Sequence, residues 1–137
     1  MALLISIPAL NLYTHGTHIT VAHAMGTTIG INTMIILAAC FYFIKPSFIS
    51  NKVLKFNSLI FWIAQYTLLF FLISLVAMGI KKALWQAGLD HYNTFSEMMN
   101  ENSFWTTLFI LFGTILMFTL GYFVIYLFIK SWKKINS

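Results

Sequence analysis

Three of the four histidines lie within nine residues, in His15-Gly-Thr-His18-Ile-Thr-Val-Ala-His23-Ala-Met25. Imidazole nitrogen and thioether sulfur are both axial ligands of haem iron. At about 100° per helical residue, His23 and Met25 point about 200° apart, so one helix can serve a group on each side. His18 precedes Met25 by seven residues and shares its face, about 10.5 Å nearer the helix start. His15 precedes His23 by eight and lies on that histidine's general side, also further out. A zinc site built on His15, His18 and His23 is a rival. It lacks a tight i, i+4 pair and has no cysteine or acid nearby.

The ordinary alternatives are concrete. A methionine in an apolar helix is usually packing material. A histidine inside a membrane is expensive to desolvate and marks function more often than a soluble one. The clustering of three histidines at one helix start strengthens the functional reading.

The elements that hold this stretch are membrane helices. The chain has 137 residues, 60% apolar and 8% charged, with a mean hydropathy of +0.85. A soluble domain carries about 25% charged residues. The net charge of +5 comes from eight lysines at the ends of apolar runs, so it signals topology and not nucleic-acid binding. Three spans are expected, at about 17–44, 58–85 and 104–129, in a single all-α membrane domain. Lys45-Pro46 ends the first span. Residues 1–14 carry Pro8 and no positive n-region, which argues against a signal peptide. They read as a lead-in lying outside the bilayer core. The polar residues Thr17, Thr20, Thr27, Thr28, Asn32 and Thr33 are costly against lipid, so the first span should pack among other helices. Three spans are too few for a roomy cofactor cavity, which implies partner chains.

Lysine placement sets the orientation. Lys45, Lys52, Lys55, Lys130, Lys133 and Lys134 lie on one side. Lys81 and Lys82 lie on the other, with the three acids Asp90, Glu97 and Glu101 and with His91. The positive-inside rule puts the first side in the cytoplasm and the N-terminus and histidine cluster outside. Trp85, Trp105 and Tyr13, and at the other boundary Trp62 and Trp132, fit aromatic belts.

The stretch from His15 to Met25 resembles the tenth transmembrane helix of the haem-copper oxidase superfamily catalytic subunit, in the nitric oxide reductase branch. That branch has His-Gly-Thr, a threonine and a His-x-His pair. Oxygen-reducing members carry aspartate where Gly16 stands. Ala9-Leu-Asn-Leu-Tyr-Thr14 also resembles the reductase branch. The motif covers about twenty residues; elsewhere the likeness is in layout, as the last three of a twelve-helix core. The resemblance implies that His23 is the proximal ligand of a high-spin haem b. Met25 takes the place of the histidine that holds the low-spin haem b, a departure that gives a His/Met haem if the sulfur ligates. His15 and His18 would lie near the haem propionates.

The resemblance further implies reduction of two nitric oxide molecules to nitrous oxide and water in a bacterial inner membrane. A cytochrome or quinol would donate the electrons. The non-haem iron or copper and its ligands belong to earlier helices, and this chain has no intramembrane carboxylate. It therefore reads as a split part or fragment that is an oxidoreductase only within a larger complex. Two alternatives stay open: part of an oxygen-reducing oxidase, and a non-enzymatic anchor or assembly subunit. Gly26 and Gly30 suit either close helix approach or a flat cofactor face. The aromatic third span (Phe104, Phe109, Phe112, Phe118, Phe123 and Phe128) reads as lipid-facing surface. Lys81 and Lys82 read as snorkelling cations, His91 as solvated, and Cys40 as a small packing residue.

Overall fold

Pro8 opens the first helix, where its missing N–H costs nothing and its fixed φ is already helical. The computed structural model describes residues 7–43 and 51–135. It contains helices α1 (Pro8–Thr14), α2 (His18–Met25), a π-helical segment (Gly26–Thr33), α3 (Met34–Phe43), α4 (Asn51–Gln86), α5 (Phe95–Glu101) and α6 (Ser103–Ile135). No strand occurs among the described residues. Stretches 18–42, 55–86 and 103–132 are long and apolar enough to cross a membrane. The Lys45-Pro46 break and the side chains of Tyr13, Lys52, Lys133 and Lys134 lie outside what is described.

The second and third membrane helices overrun the expected boundaries. α4 begins at Asn51, not near Ser58, and α6 continues to Ile135. At 36 residues α4 is about 54 Å long, well beyond the roughly 30 Å hydrocarbon core. Hydropathy marks where a helix meets lipid, and the backbone ladder continues past that point into polar residues. Within the lead-in, Pro8–Thr14 is itself a short helix.

α4 is the central helix. α6 packs along one side of it and α2 on another. The core joins Ala22 of α2 to Phe71, Leu75 and Met78 of α4, with Trp105, Phe109 and Phe112 of α6 against them. Phe71 stacks on Phe109 with ring centroids 4.9 Å apart, and Phe70 on Phe112 at 5.2 Å. The aromatic third span is therefore divided. Phe104, Phe118 and Phe128 are exposed, as expected of lipid-facing rings, whereas Phe123 is buried and Phe109 and Phe112 pack on α4. Alternation of faces along one helix decides this, and a count of aromatics cannot.

The 86–102 connection is built, not loose. α4 ends in a Schellman cap, with Gly88 at φ 69°. The Leu89 N–H donates to Leu84 O at 3.1 Å and the Gly88 N–H to Trp85 O at 3.0 Å. The Trp85 indole donates to Tyr92 O at 3.2 Å. Thr94 and Glu97 form a capping box that starts α5. The segment reads as an acidic loop by composition, but Thr-x-x-Glu at 94–97 is itself a helix-start signal.

Tyr92 donates its phenol to Glu101 across this connection. That hydrogen bond, then burial and the charges of Glu101 and Asp90, push its pKa up from 10.0 to about 12. A phenol raised on folding contributes fully below its ordinary value and loses the contribution as pH climbs through the raised one. The tie between Tyr92 and Glu101 is expected to hold at pH 10 and to break near pH 12. Phenolate absorbance should show a late-titrating tyrosine that Tyr92→Phe removes. An unchanged high-pH limb in that variant contradicts the assignment.

Candidate functional site

The turn between α1 and α2 sets the site's outer corner. Gly16 has φ 71°, the left-handed region that glycine adopts without strain. Thr17 follows as the N-cap of α2 and is 2% exposed. Its hydroxyl accepts from Ile19 N–H at 3.3 Å and donates to Thr14 O at 2.6 Å. The Thr20 hydroxyl donates to the same carbonyl at 2.9 Å. The start of α2 is thus fixed by hydroxyls from two positions.

A distant residue completes this corner. The Lys82 ammonium, near the end of α4, donates to Gly16 O at 2.9 Å. Lys82 therefore ties α4 to the His-Gly-Thr turn and does more than snorkel. It also lies close enough to His18 to interact electrostatically. Nothing local in the sequence marks this contact, which joins residues 66 positions apart. Thr17, by contrast, is legible as a helix-start residue before an apolar run.

The histidine cluster divides between this corner and the helix below. His15 closes α1, donating its N–H to Asn11 O at 2.8 Å, and its side chain is exposed. His18, the first residue of α2, is half-buried, and its Nδ1 is buried with no hydrogen-bond partner. His15 and His18 thus stay at the outer corner with Lys82. His23 and Met25 lie further along, and the three histidines do not converge. No group of three metal-ligating side chains occurs among the described residues.

The contact with α4 separates His23 from Met25. α2 and the π segment present Ile19, Ala22, Gly26 and Gly30 to α4. Ile19 and Ala22 are buried, and Gly26 and Gly30 face Leu72 and Leu68. At about 100° per residue, His23 lies about 80° to one side of the Ala22–Gly26 midpoint of this stripe and Met25 about 80° to the other. His23 is half-buried and Met25 is 36% exposed. Neither side chain hydrogen-bonds to another described residue. The two potential iron ligands open on opposite flanks, and neither is consumed by the core.

Immediately after Met25 the helix widens into the π segment. The Gly26 N–H is shared between Ala22 O and His23 O. The Thr27 hydroxyl donates to His23 O at 3.0 Å, and the Thr33 hydroxyl to Thr28 O at 3.0 Å. π-turns are rare and concentrate at functional sites. No residue pattern distinguishes i→i+5 from i→i+4 bonding, so this feature has no sequence signal.

Gly26 and Gly30 allow ordinary packing, not unusually close approach. A Cβ at either would meet leucine side-chain atoms at 3.6–3.8 Å. Close approach occurs instead at Gly79, against Ile19. His91 is exposed, with its N–H donating to Asp90 Oδ1 at 3.0 Å. Cys40 is exposed as well.

A haem bound at either flank needs a free axial donor with open space beyond it. His23 and Met25 meet that requirement in donor type and exposure. The described residues do not enclose either flank. No family model matches the sequence, and no curated protein or solved structure matches it either.

Proposed function

We propose that this chain is the three-helix C-terminal part of a nitric oxide reductase-like haem-copper subunit. His23 would hold the iron of a high-spin haem b, and Met25 would be a ligand of a low-spin haem b. The complex reduces two nitric oxide molecules, with two electrons and two protons, to nitrous oxide and water. A cytochrome or quinol donates the electrons. The non-haem metal and the remaining ligands come from partner helices. The proposed setting is a bacterial inner membrane, with the N-terminus outside.

The observation that carries this reading is the pair of donors opening on opposite flanks of the α4 stripe, at a helix start with the His-Gly-Thr turn. A bound haem would supply redox chemistry at its iron. The chain's own residues position and tune. Gly16, Thr17 and Lys82 fix the start of α2. Ile19 and Ala22, packed on α4, set its rotation, so His23 and Met25 face apart. A thioether ligand raises the potential of a low-spin haem relative to a second imidazole.

The test uses the native complex. Low-temperature absorption spectra are expected to show a thioether-to-iron band towards the red edge, absent from Met25→Ala. Met25→His should remove that band, retain a low-spin haem and lower its reduction potential. Identical spectra and potentials in wild type and both variants would remove Met25 from the site.

A further inference from the structure

Lys82 receives no counter-charge from its own chain. The sequence holds three acids, and each is engaged within the 86–102 connection. Asp90 Oδ1 accepts from the His91 N–H at 3.0 Å. Glu97 Oε2 accepts from the Asn93 and Thr94 N–H groups at 3.2 Å and 3.3 Å, and Glu101 accepts from Tyr92. Among the described residues no ion pair joins Lys82 to a carboxylate. An ammonium has three donors, and here one of them meets a neutral acceptor, the Gly16 carbonyl at 2.9 Å. The side chain is half-buried. A cation drawn partly out of water with only a neutral partner is costly, and an anion beside it offsets that cost.

The fold brings a second donor to the same corner. A Cβ at Gly79, one turn before Lys82 on α4, would meet Ile19 and the His18 carbonyl carbon. Lys82 therefore reaches over the first turn of α2, and its charge acts on His18. His18 Nδ1 is buried with no partner. A buried N–H without an acceptor is worse than a lone pair without a donor, so the proton of the neutral ring belongs on Nε2. The corner thus offers two remaining ammonium donors and an imidazole N–H, with no acid among them. It also lies at the membrane boundary. Gly16 stands just before span 18–42, and Lys82 lies four residues, about 6 Å, inside the end of span 55–86. Lipid headgroups occupy that level. Val21, three residues after His18, is exposed and gives an acyl chain an apolar surface.

We propose that the corner formed by Gly16, His18 and Lys82 binds the phosphate of an anionic phospholipid. Lys82 keeps its bond to Gly16 O and gives its other donors to the phosphate oxygens, and the His18 Nε2–H supplies a further one. Lys81 points about 100° away around α4 and takes no part. Inorganic phosphate offers the same oxygens but lacks the acyl chains that hold a headgroup at this depth. The inference rests on charge, burial and position, and not on haem ligation.

The test is native mass spectrometry of the delipidated full chain in non-ionic detergent. Phosphatidylglycerol or phosphatidylcholine with the same acyl chains is added, or inorganic phosphate. One phosphatidylglycerol should be retained under activation that strips phosphatidylcholine, and millimolar inorganic phosphate should not displace it. Lys82→Gln should lower retention about fivefold, the weight of one lysine at an anionic membrane surface. Lys82→Arg should keep it, and Lys81→Gln, the same charge change one position away, should leave it within about twofold. His18→Ala spares the Lys82–Gly16 tie and should lower retention at least about threefold, the weight of a hydrogen bond. It keeps the test decisive where Lys82→Gln unfolds the chain. His23→Ala should retain the lipid fully, which separates this site from the haem reading. Equal retention of the two lipids, equal losses in Lys81→Gln and Lys82→Gln, or retention unchanged in His18→Ala would each overturn the site. Displacement by inorganic phosphate would overturn the lipid as its ligand.

Discussion

Replacing His23 by alanine is expected to abolish the high-spin haem signal of the assembled complex while leaving this chain folded. The two halves of that expectation come from different observations. The α2–α4 contact runs through Ile19 and Ala22, both buried, and His23 stands beside it. Its imidazole hydrogen-bonds to no described residue, so truncation orphans no partner. The loss should therefore be local. Residues that merely orient a metal ligand are worth about 10–100-fold in metal affinity or activity, so removing the ligand itself should cost at least about 100-fold in turnover. Added imidazole provides a second readout, because it can occupy the vacated position and recover part of the spectrum. His91→Ala is the control; that side chain is exposed on the connection and should change nothing. A native high-spin spectrum in His23→Ala would sink the haem assignment outright.

The haem reading joins the motif to the opposite facing of its two donors. Composition and hydropathy suffice for three membrane helices, and periodicity suffices for His23 and Met25 facing apart. Both depend only on local spacing. What spacing could not supply is what lies between the two ligands. The stripe Ile19, Ala22, Gly26 and Gly30 meets α4 because of a fold-level choice among several faces of similar apolarity. Lys82 reaching Gly16 O is likewise a long-range contact, invisible in either segment alone. The capping box at Thr94 and Glu97 is a different case. Its signal is local and present in Thr-x-x-Glu, although the segment's composition reads as an acidic loop. The π segment lies beyond any residue pattern, since Gly-Thr-Thr-Ile-Gly-Ile-Asn-Thr suits an α-helix of this polarity equally well.

Polarity also links the site to the unfilled part of the bundle. His23, Met25, Thr28 and Asn32 all lie on the span whose most apolar stretch the other helices bury least. On the proposed reading, a helix carrying two outward ligands and an outward amide is the centre of a larger assembly, with α4 and α6 as its lipid-side support. On this view the lead-in helix, the Gly16 turn and the Lys82 tie hold the central helix at a fixed depth and rotation. The connection from Trp85 to Asn102 clamps α4 to α6 so that this support does not splay.

The support is most sensitive at Gly79, and Gly79→Ala is expected to be the most damaging small substitution in the chain. A Cβ there would lie 2.5 Å from Ile19 Cγ1, 2.6 Å from the Ile19 backbone nitrogen and 3.2 Å from the His18 carbonyl carbon. A flexible side chain could turn aside, but a backbone nitrogen in the first turn of a helix cannot. α2 must therefore move away from α4. Overpacking of this kind costs about 1–3 kcal/mol. The better helix propensity of alanine returns about 0.5–1 kcal/mol, so the net loss should be about 1–2 kcal/mol. Gly121→Ala calibrates the propensity gain, because a Cβ at Gly121 meets nothing within 4 Å. It should be neutral or slightly stabilising. Unfolding midpoints in detergent compare the two variants directly. The displacement also carries a spectroscopic consequence, because Ile19 and His18 begin the helix that orients His23. Gly79→Ala is expected to loosen the Lys82–Gly16 tie and broaden the haem bands of the complex, whereas Gly121→Ala leaves them sharp. Equal stability of the two variants would show that α2 does not lie against α4 at this crossing.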